Sequence, residues 1–431
     1  MNVKKAILIG LIIILSSGLR AQEKLSLSLD EARQYALQYN RSLKSSGLSL
    51  QQAQAAVWQT IAKGLPQVQV AGSYQNTLGA KATINFPGMP PQSFSLGNSG
   101  SIQPQISQLL FSGSYWVGIQ LAKLSQQLSE TMVKKTEQDV IQQVSSSYYT
   151  VLLVENVDHT LKQNRDNLLD IIHKTEATVK VGMGTQTDVD QLSVQYALVD
   201  NQVKSNERQI EMAYNMLRLL LGVNEKTIIE LKDSLESFIN PVQAATLLDE
   251  PFDMSKNYTY ILSKQQLDIS QQQVRLQKAS WLPTLSAFYY HTFYYIQPPT
   301  QFSPNDIFGV QLNWPIFSSG GTLSAIKQAK LKVKSSENDM AALQEQLAIQ
   351  YQQAKFNLNN AIDKLDAQIK NLEVSQRVYD NIVQKHEQGV ASAMEVTTTS
   401  NNLLQAQSNY TAALVDMLNA KISLEILLNK Y

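Results

Sequence analysis

The chain has 431 residues, 36 Lys or Arg, 36 Asp or Glu, four His and no cysteine. The absence of cysteine excludes a disulfide framework, a thiolate metal site and a lipid-bearing N-terminal cysteine. The charge balance argues against a nucleic-acid partner, and the histidines lie too far apart in sequence to chelate a metal at helical spacing. We therefore expect no cofactor. No catalytic constellation or phosphate loop is visible, so we expect no enzyme.

Residues 1–21 have the pattern of a secretory signal peptide. Two lysines precede the apolar run Ala6–Leu15, and small residues follow up to Ala21. We expect cleavage after Ala21, with cleavage after Gly18 as the alternative. No later stretch approaches the roughly 18 consecutive apolar residues of a membrane-spanning helix, so we expect an exported protein without a helical anchor.

The rest of the chain repeats one series of elements twice. We predict a first repeat over residues 22–222, a connector over 223–250 and a second repeat over 251–431. Each repeat contains a helix, a β-hairpin, a long helix, a tip turn and a returning helix. The predicted bounds are a helix over 28–63, a hairpin over 66–112 and helices over 115–181 and 185–221, then a helix over 251–280, a hairpin over 283–317 and helices over 322–388 and 390–429.

The long helices are predicted from stretches without Gly or Pro. Ile119–Val181 and Thr322–Gln388 span 63 and 67 residues, which as single helices would reach roughly 95–100 Å. Heptad spacing in the distal parts predicts two antiparallel coiled coils, and an 11-residue apolar period nearer the strands predicts straighter segments. Abundant Gln, Asn and Ser suit helices around a water-filled bore, with an ordinary solvated coiled coil as the alternative.

The predicted strands alternate apolar residues with small or polar ones. In Phe308–Phe317 every second side chain is apolar, and Val68–Gln75 and Leu285–Ile296 follow the same period. Over ten to twelve residues this alternation is typical of a membrane β-barrel, and a soluble β-sandwich is the alternative. A segment between the strands of each hairpin, over 77–100 and 297–305, is expected to be a loop.

Closure of a barrel would require several chains, because a barrel has no free edge. Two copies supply eight strands, which enclose only side chains, whereas three supply twelve and leave a lumen. A conduit therefore favours a homotrimer. Tryptophans lie where helix meets strand, a placement typical of the headgroup level of a bilayer and also of ordinary junction packing. They are Trp58, Trp116, Trp281 and Trp314.

The order of these elements resembles the TolC-type outer-membrane efflux family. The likeness is carried by the signal peptide, the doubled hairpins and long helices, and by Gly64-Leu65-Pro66, Phe317-Ser318-Ser319-Gly320-Gly321 and Gly389–Val396. It covers essentially the whole mature chain. The resemblance implies an internally duplicated α+β membrane protein, in which a trimeric twelve-stranded β-barrel in outer-membrane lipid continues into a long periplasmic twelve-helix α-barrel.

The resemblance further implies the exit duct of a tripartite efflux or type I secretion system. An inner-membrane pump of the RND, ABC or MFS (major-facilitator) type would recruit it through a periplasmic adaptor (membrane fusion protein). The alternatives are a structural or surface coiled-coil protein and a periplasmic adaptor. An adaptor would have one helical hairpin beside small β-domains, and a surface coiled coil would have uninterrupted heptads without bilayer strands.

The resemblance also places a periplasmic aperture just after the tip turns. Asp188 and Glu395 fall where the family often carries acids, so three copies would form two carboxylate rings that favour cations. Helix N-capping explains both residues without a ring. Thr398 stands where a second acid is frequent and Ala391 where a basic latch occurs, which weakens the expected charge gate. His386, at the end of the distal heptads, is assigned to the aperture as well.

The two tip turns are the expected adaptor contacts. Their small exposed residues would admit the tip of a partner's helical hairpin, although tight-turn chemistry explains the glycines equally well. The assigned residues are Gly182, Met183, Gly184, Thr185, Gly389, Val390, Ala391 and Ser392.

Overall fold

A computed structural model describes residues 24–85, 87–239, 241–298 and 303–431. The predicted signal peptide lies outside these residues. The chain divides into two compact units. Unit 1 comprises residues up to 47 together with 133–259 and 344–431, and unit 2 comprises 48–132 and 260–343.

Helices dominate the described chain, and two of them exceed 65 residues. The helices are α1 Leu29–Tyr39, α2 Arg41–Ala62, α3 Gly113–Lys180, α4 Gln186–Leu221, α5 Pro241–Thr246, α6 Tyr258–Ala279, α7 Gly321–Glu387 and α8 Ala393–Leu427. The strands are β1 Lys24–Leu27, β2 Gln67–Gln75, β3 Lys81–Ile84, β4 Gln92–Ser95, β5 Ser99–Ser112, β6 Ile228–Leu231, β7 Thr284–His291, β8 Phe293–Ile296 and β9 Asp306–Asn313. Short 3-10 turns occupy Leu235–Phe238, Leu247–Asp249 and Met254–Lys256.

The helix expected over 28–63 is interrupted at Asn40. Asn40 adopts φ −58° and ψ 131° and so ends α1. Its side-chain oxygen accepts from the backbone N–H groups of Ser42 and Leu43 at 2.8 and 3.1 Å, which caps α2. Asparagine competes in this way with the helical backbone, and the single-helix prediction missed that local hydrogen bonding.

The helix expected over 251–280 begins later, at Tyr258. Asn257 accepts from the Thr259 N–H at 3.0 Å through its side-chain oxygen, and the preceding residues form a 3-10 turn capped by Asp253. The predicted start at Pro251 was therefore wrong by about two turns. Polar caps, and not the apolar period, decide where this helix starts.

Unit 2 contains an antiparallel sheet in the order β2-β5-β7-β9, with β8 also paired to β5. One register line crosses all four strands through Val68, Ile106, Tyr289 and Phe308. Cross-strand partners point to the same face, and these four side chains are 43–73% exposed. The sheet thus presents an uncovered apolar face.

The opposite face of the sheet is mixed and not uniformly small or polar. Gln69 bonds to Gln105 at 3.2 Å across β2 and β5, but the rings of Phe288 and Tyr290 lie on this face with their centroids 6.0 Å apart. Phe288 lies opposite Gly309 on the neighbouring strand, and a Cβ atom on residue 309 would lie 2.6 Å from the Phe288 ring. A glycine therefore makes room for the aromatic pair on the second hairpin.

The strand bounds differ from the sequence prediction in three places. The expected loop over 77–100 contains the short hairpin of β3 and β4. The strand expected over 285–296 is divided at Thr292 into β7 and β8. The strand expected over 308–317 ends at Asn313, because Pro315 lacks the N–H that a ladder requires, so Ile316 lies outside the sheet.

Unit 1 is built around the larger of two buried apolar clusters. Side chains from β1, α1, α3, α4, α7 and α8 contribute to this cluster. Several of them are completely buried, at 0% exposure, including Ala36, Val144, Leu358 and Leu414. The connector enters this cluster through β6, which pairs in parallel with β1. This strand pair was not predicted, since each strand has only four residues.

The distal parts of the four long helices also lie in unit 1. Several of the positions whose heptad spacing predicts the first coiled-coil seam are buried, including Leu168 and Thr175 on α3 and Leu192 and Val199 on α4. The other positions in that spacing, such as Arg165, are half-buried. The corresponding α8 positions Ala406, Ala413, Met417 and Leu424 are buried as well. No helix in the described ranges combines the length and hydropathy needed to cross a membrane.

Candidate functional site

The two tip turns have the same backbone geometry. Gly182 and Gly389 have φ of +76° and +73°, a left-handed conformation that glycine adopts without steric cost. Met183 N–H donates to the Thr178 carbonyl at 2.9 Å, and Val390 N–H donates to the Lys385 carbonyl at 2.8 Å. Each long helix thus ends in a Schellman motif, and the N-cap residue of the next helix, Thr185 or Ser392, lies three residues after the glycine.

Asp188 and Glu395 each close a capping box at the start of a returning helix. Glu395 Oε2 accepts from Ser392 N–H at 2.8 Å, while Ser392 Oγ accepts from Glu395 N–H at 3.3 Å. The backbone hydrogen bond and then the side-chain hydrogen bond from Ser392 lower the pKa of Glu395. Thr185 and Asp188 form the equivalent box, with both backbone hydrogen bonds at 3.3 Å.

The capping boxes give a local structural role to both acids that were assigned to the aperture. A side chain that reaches back to the N-cap satisfies an N–H group that the helix leaves without a partner. The Glu395 carboxylate stays exposed to solvent, so capping leaves its charge available to the surroundings. Whether three copies place these charges in rings stays a prediction.

His386 lies between the two helical hairpins, half-buried. Its Nδ1 donates to the Ala391 carbonyl at 2.9 Å, and its Nε2 lies 3.1 Å from Thr175 Oγ1 on α3. Thr175 is 5% exposed, and its single hydroxyl proton is directed either to the Ile171 carbonyl, 2.8 Å away, or to His386 Nε2. Because its ring is engaged on both sides, His386 joins α7, its own tip turn and α3.

Further polar contacts join the hairpin of α3 and α4 to the hairpin of α7 and α8. Asn164 Nδ2 on α3 donates to Ser400 Oγ on α8 at 3.0 Å, and both residues are buried. Gln195 Nε2 on α4 donates to Asn401 Oδ1 on α8 at 2.5 Å. We call these two contacts and the His386–Thr175 contact the inter-hairpin ties. Asn164, Thr175, Gln195 and Ser400 are buried, and hydrogen bonds of buried polar groups fix one relative position of the helices.

An exposed ion pair accompanies the ties. Lys174 Nζ on α3 lies 2.8 Å from Glu387 Oε1 on α7 and 2.7 Å from Asp170 Oδ2. Hydrogen bonds to Asp170 and then to Glu387 raise the pKa of Lys174. The Lys174 and Glu387 side chains are 54% and 42% exposed, so solvent screening keeps the contribution of this pair small.

A small apolar cluster lies under the tips. It is formed by eight buried residues from α3, α4 and α8: Leu168, Ile171, Ile172, Val189, Leu192, Val199, Ala393 and Val396. Next to it is an open cleft of about 780 Å³. Both tips contribute to its lining, with Thr178, Met183, Gly184, His386, Val390 and Ala391 among the lining residues.

Most of the remaining predicted site residues are exposed to solvent. Met183 and Val390 are 83% and 73% exposed. Thr398 is exposed, and its hydroxyl donates to the Met394 carbonyl at 2.8 Å, which is ordinary helix back-bonding. The sequence analysis missed the tie residues Asn164, Gln195, Ser400 and Asn401. Polar residues within a heptad seam were the available signal.

In the part of the chain that the structure describes, no group of three or more acidic or histidine side chains is arranged to hold a metal ion. The exposed tip turns offer a surface for a protein contact, and the capping carboxylate of Glu395 is exposed to solutes. The chemistry visible there is hydrogen bonding and charge.

Comparison with known proteins points to one family. The family described as outer membrane efflux protein matches residues 32–223 and 263–430. The chain is 22% identical to the outer membrane efflux protein BepC of Brucella suis over 97% of this chain and 89% of that protein. It is 21% identical to the outer membrane protein TolC of Escherichia coli over 97% and 85% of the two chains.

A solved structure shares the fold. The crystal structure of CusC, described in terms of transmembrane channel formation, superposes with a TM-score of 0.75 at 16% identity. The match covers 93% of this chain and 92% of CusC. At this identity the likeness concerns the fold.

Proposed function

Because this chain belongs to the outer membrane efflux protein family, whose members are outer-membrane channels and not enzymes, we propose that it is the exit duct of a tripartite efflux or type I secretion system. It conducts substrates passively from the periplasm to the exterior. An inner-membrane RND, ABC or MFS pump supplies the energy for transport, and a periplasmic adaptor connects the pump to the duct. The observation that carries this proposal is the sheet with an uncovered apolar face.

The sheet supports insertion into the outer membrane as part of a barrel. Phe308, Val310 and Leu312 on β9 are 73%, 56% and 60% exposed, and burial in lipid would remove this apolar surface from water. Within the described residues, β2 pairs with β5 alone and β9 with β7 alone. Backbone groups at such edges need partners in a membrane, which neighbouring copies supply.

Three copies arranged in a ring satisfy both edges. Each copy places its β2 beside β9 of the next, giving twelve strands and a lumen wide enough for solutes. This head-to-tail contact closes under threefold rotation. The α4 helix also carries an exposed apolar stripe that a neighbouring helix would cover, formed by Val194, Leu198, Met212, Met216 and Leu219.

The tips are the proposed gate and adaptor contact. Opening requires the α7–α8 hairpin to move relative to α3–α4, so the inter-hairpin ties and the Lys174–Glu387 ion pair are among the contacts that must break. Asp188 and Glu395 would line the aperture as two rings that favour cations. The cleft between the tip turns would receive the adaptor.

Reconstitution tests the proposal directly. Purified protein should migrate as a heat-sensitive trimer and should give discrete conductance steps in a planar bilayer. A monomer that leaves bilayers electrically silent would reject the duct. If the protein is attached to the cell surface but gives no conductance, the structural coiled-coil alternative is favoured. If it is monomeric and pulls down a separate outer-membrane trimer, the adaptor alternative is favoured.

A further inference from the structure

Unit 2 is basic, although the whole chain is balanced. It contains ten Lys or Arg and five Asp or Glu, against 36 of each in the full sequence. The excess is concentrated where helices adjoin the sheet. We define the junction segments as the last eleven residues of α2 and α6, the first eleven of α3 and α7, and Lys63 directly after α2, a length of about 16 Å along each helix.

The junction segments carry six basic residues and no acidic residue. The six, which we call the basic collar, are Lys63, Lys123, Arg275, Lys278, Lys327 and Lys330. The nearest acids on the same helices are Asp268, immediately outside its segment, and Glu130 and Glu337 further away. Helix formation does not require that all the charges at four separate helix ends have the same sign, because Lys and Glu have similar helix propensities.

The collar side chains are all exposed. Within the described ranges none of the six lies within ion-pair distance of a carboxylate, and Arg275 Nη1 donates only to the Gln272 side chain, at 3.4 Å. Elsewhere in the chain exposed lysines commonly have acidic partners, as Lys364 has in Asp416 at 2.8 Å. The collar charges are therefore available to an anion outside the chain.

Tryptophans mark the same four junctions. Trp58, Trp116, Trp281 and Trp314 are 49–63% exposed, and Trp314 donates its indole N–H to the Trp281 carbonyl at 3.1 Å. Indole rings settle at the headgroup level of a bilayer. With the sheet in the membrane, the collar then starts at this level and extends along the helices on the periplasmic side.

We propose that the basic collar binds the phosphate groups of anionic phospholipids in the periplasmic leaflet of the outer membrane. This rests on the proposed insertion of the sheet into that membrane. The attraction acts within a Debye length of about 8 Å, so it is strongest for the collar charges nearest the sheet. Lysines further along the helices can bury their stems against the helix and extend their ammonium groups toward headgroups. Bound anionic lipid would hold the duct at a fixed depth.

Lipid retention by the intact trimer tests the proposal. Trimers are reconstituted in phosphatidylcholine containing about one fifth phosphatidylglycerol, and the lipid kept after dilution into detergent is measured by native mass spectrometry. Wild type should enrich phosphatidylglycerol about threefold or more over the bulk ratio, and high salt should abolish the enrichment. Lys63→Gln, Lys278→Gln, Lys327→Gln and Lys330→Gln combined should bring the ratio close to that of the bulk.

A matched control lies on the same helix. Lys332 and Lys334 are also exposed but lie outside the junction segment, so the pair K332Q/K334Q removes the same charge as K327Q/K330Q further from the membrane. The control should retain most of the enrichment that the collar pair loses. Equal losses in both pairs, or no enrichment in wild type, would overturn the proposal.

Two further measurements distinguish anionic lipid from the other anionic ligands that the collar could bind, free phosphate and peptidoglycan. If inorganic phosphate in the dilution buffer abolishes the enrichment at constant ionic strength, the site recognises free phosphate and the lipid assignment is rejected. If purified peptidoglycan sediments wild type but not the collar variant, and no lipid is enriched, the collar is a cell-wall contact and the proposal fails. Conductance is recorded on the same samples, so a conducting trimer without lipid enrichment rejects this inference and leaves the duct intact.

Discussion

The two apolar clusters of unit 1 differ in size and in what surrounds them. Among the described residues, the larger cluster draws on nine helices and strands and contains 28 buried residues, whereas the tip cluster contains eight from three helices. The tip cluster is flanked by the inter-hairpin ties, an open cleft and two turns that share one backbone motif. Burial of apolar area scales with stability, so the larger cluster holds the fold and the tips are the part that can rearrange at low cost.

Truncation of the same residue type in each cluster should have the largest and most divergent effects. Leu358 and Leu168 are both 0% exposed, and a buried Leu→Ala change typically costs about 2–5 kcal/mol. L358A should lower the denaturant midpoint of the whole chain and the amount of trimer recovered. L168A should leave recovery nearly unchanged and raise basal conductance in planar bilayers.

Ile369→Ala provides the control for these two variants, since Ile369 lies on α7 and is 41% exposed. It should change neither recovery nor conductance appreciably. If L168A instead unfolded the chain as L358A does, the two clusters would form one cooperative unit and the comparison would be wrong.

The inter-hairpin ties should give the next largest effect. Asn164→Ala leaves the buried Ser400 hydroxyl without this partner, and an unsatisfied buried group costs about 1–3 kcal/mol. We expect a higher open probability in single-channel recordings. The double variant N164A/S400A should recover part of the loss, because both polar groups are removed together; strictly additive effects would indicate that the contact does not hold the gate.

The two roles of Glu395 can be separated by a matched pair of substitutions. Glu395→Gln removes the charge and keeps a capping box, which accepts Glu or Gln at this position, whereas Ser392→Ala removes the cap and keeps the charge. A carboxylate ring predicts that E395Q shifts the reversal potential in a salt gradient toward lower cation preference and that S392A does not. An unchanged reversal potential in E395Q would leave capping as the role of Glu395.

Acid should produce the smallest effect. Because the Ser392 hydrogen bonds lower the Glu395 pKa below its ordinary value of 4.5, the ionised cap stabilises the start of α8 above about pH 4.5. That contribution is lost as the pH falls through the lowered native value. The protection factors of the tip-segment amides, which are corrected for the slower intrinsic exchange at low pH, should fall on acidification in wild type, and S392A should lack this acid-dependent component.

Local rules predicted much of the tip geometry from the sequence. Glycine at 182 and 389, followed after three residues by Thr185 and Ser392 and then by an acid, specifies a helix end, a turn and a capped helix start. The capping explanation for Asp188 and Glu395 was foreseen beside the ring. The position of His386 near the tip was foreseen, but its two hydrogen-bond partners were not, since Thr175 lies 211 residues away.

The sequence by itself determined the long helices, the alternating strands and the doubled order, because periodicity and the absence of Gly and Pro act over neighbouring residues. Only the tertiary structure decided which polar groups meet. The Asn164–Ser400 tie, the β1–β6 pair and the Phe288 ring across Gly309 each join residues that are far apart in sequence or on different strands. Such contacts depend on how the helices and strands pack, and a pattern along one segment carries no information about its distant partner.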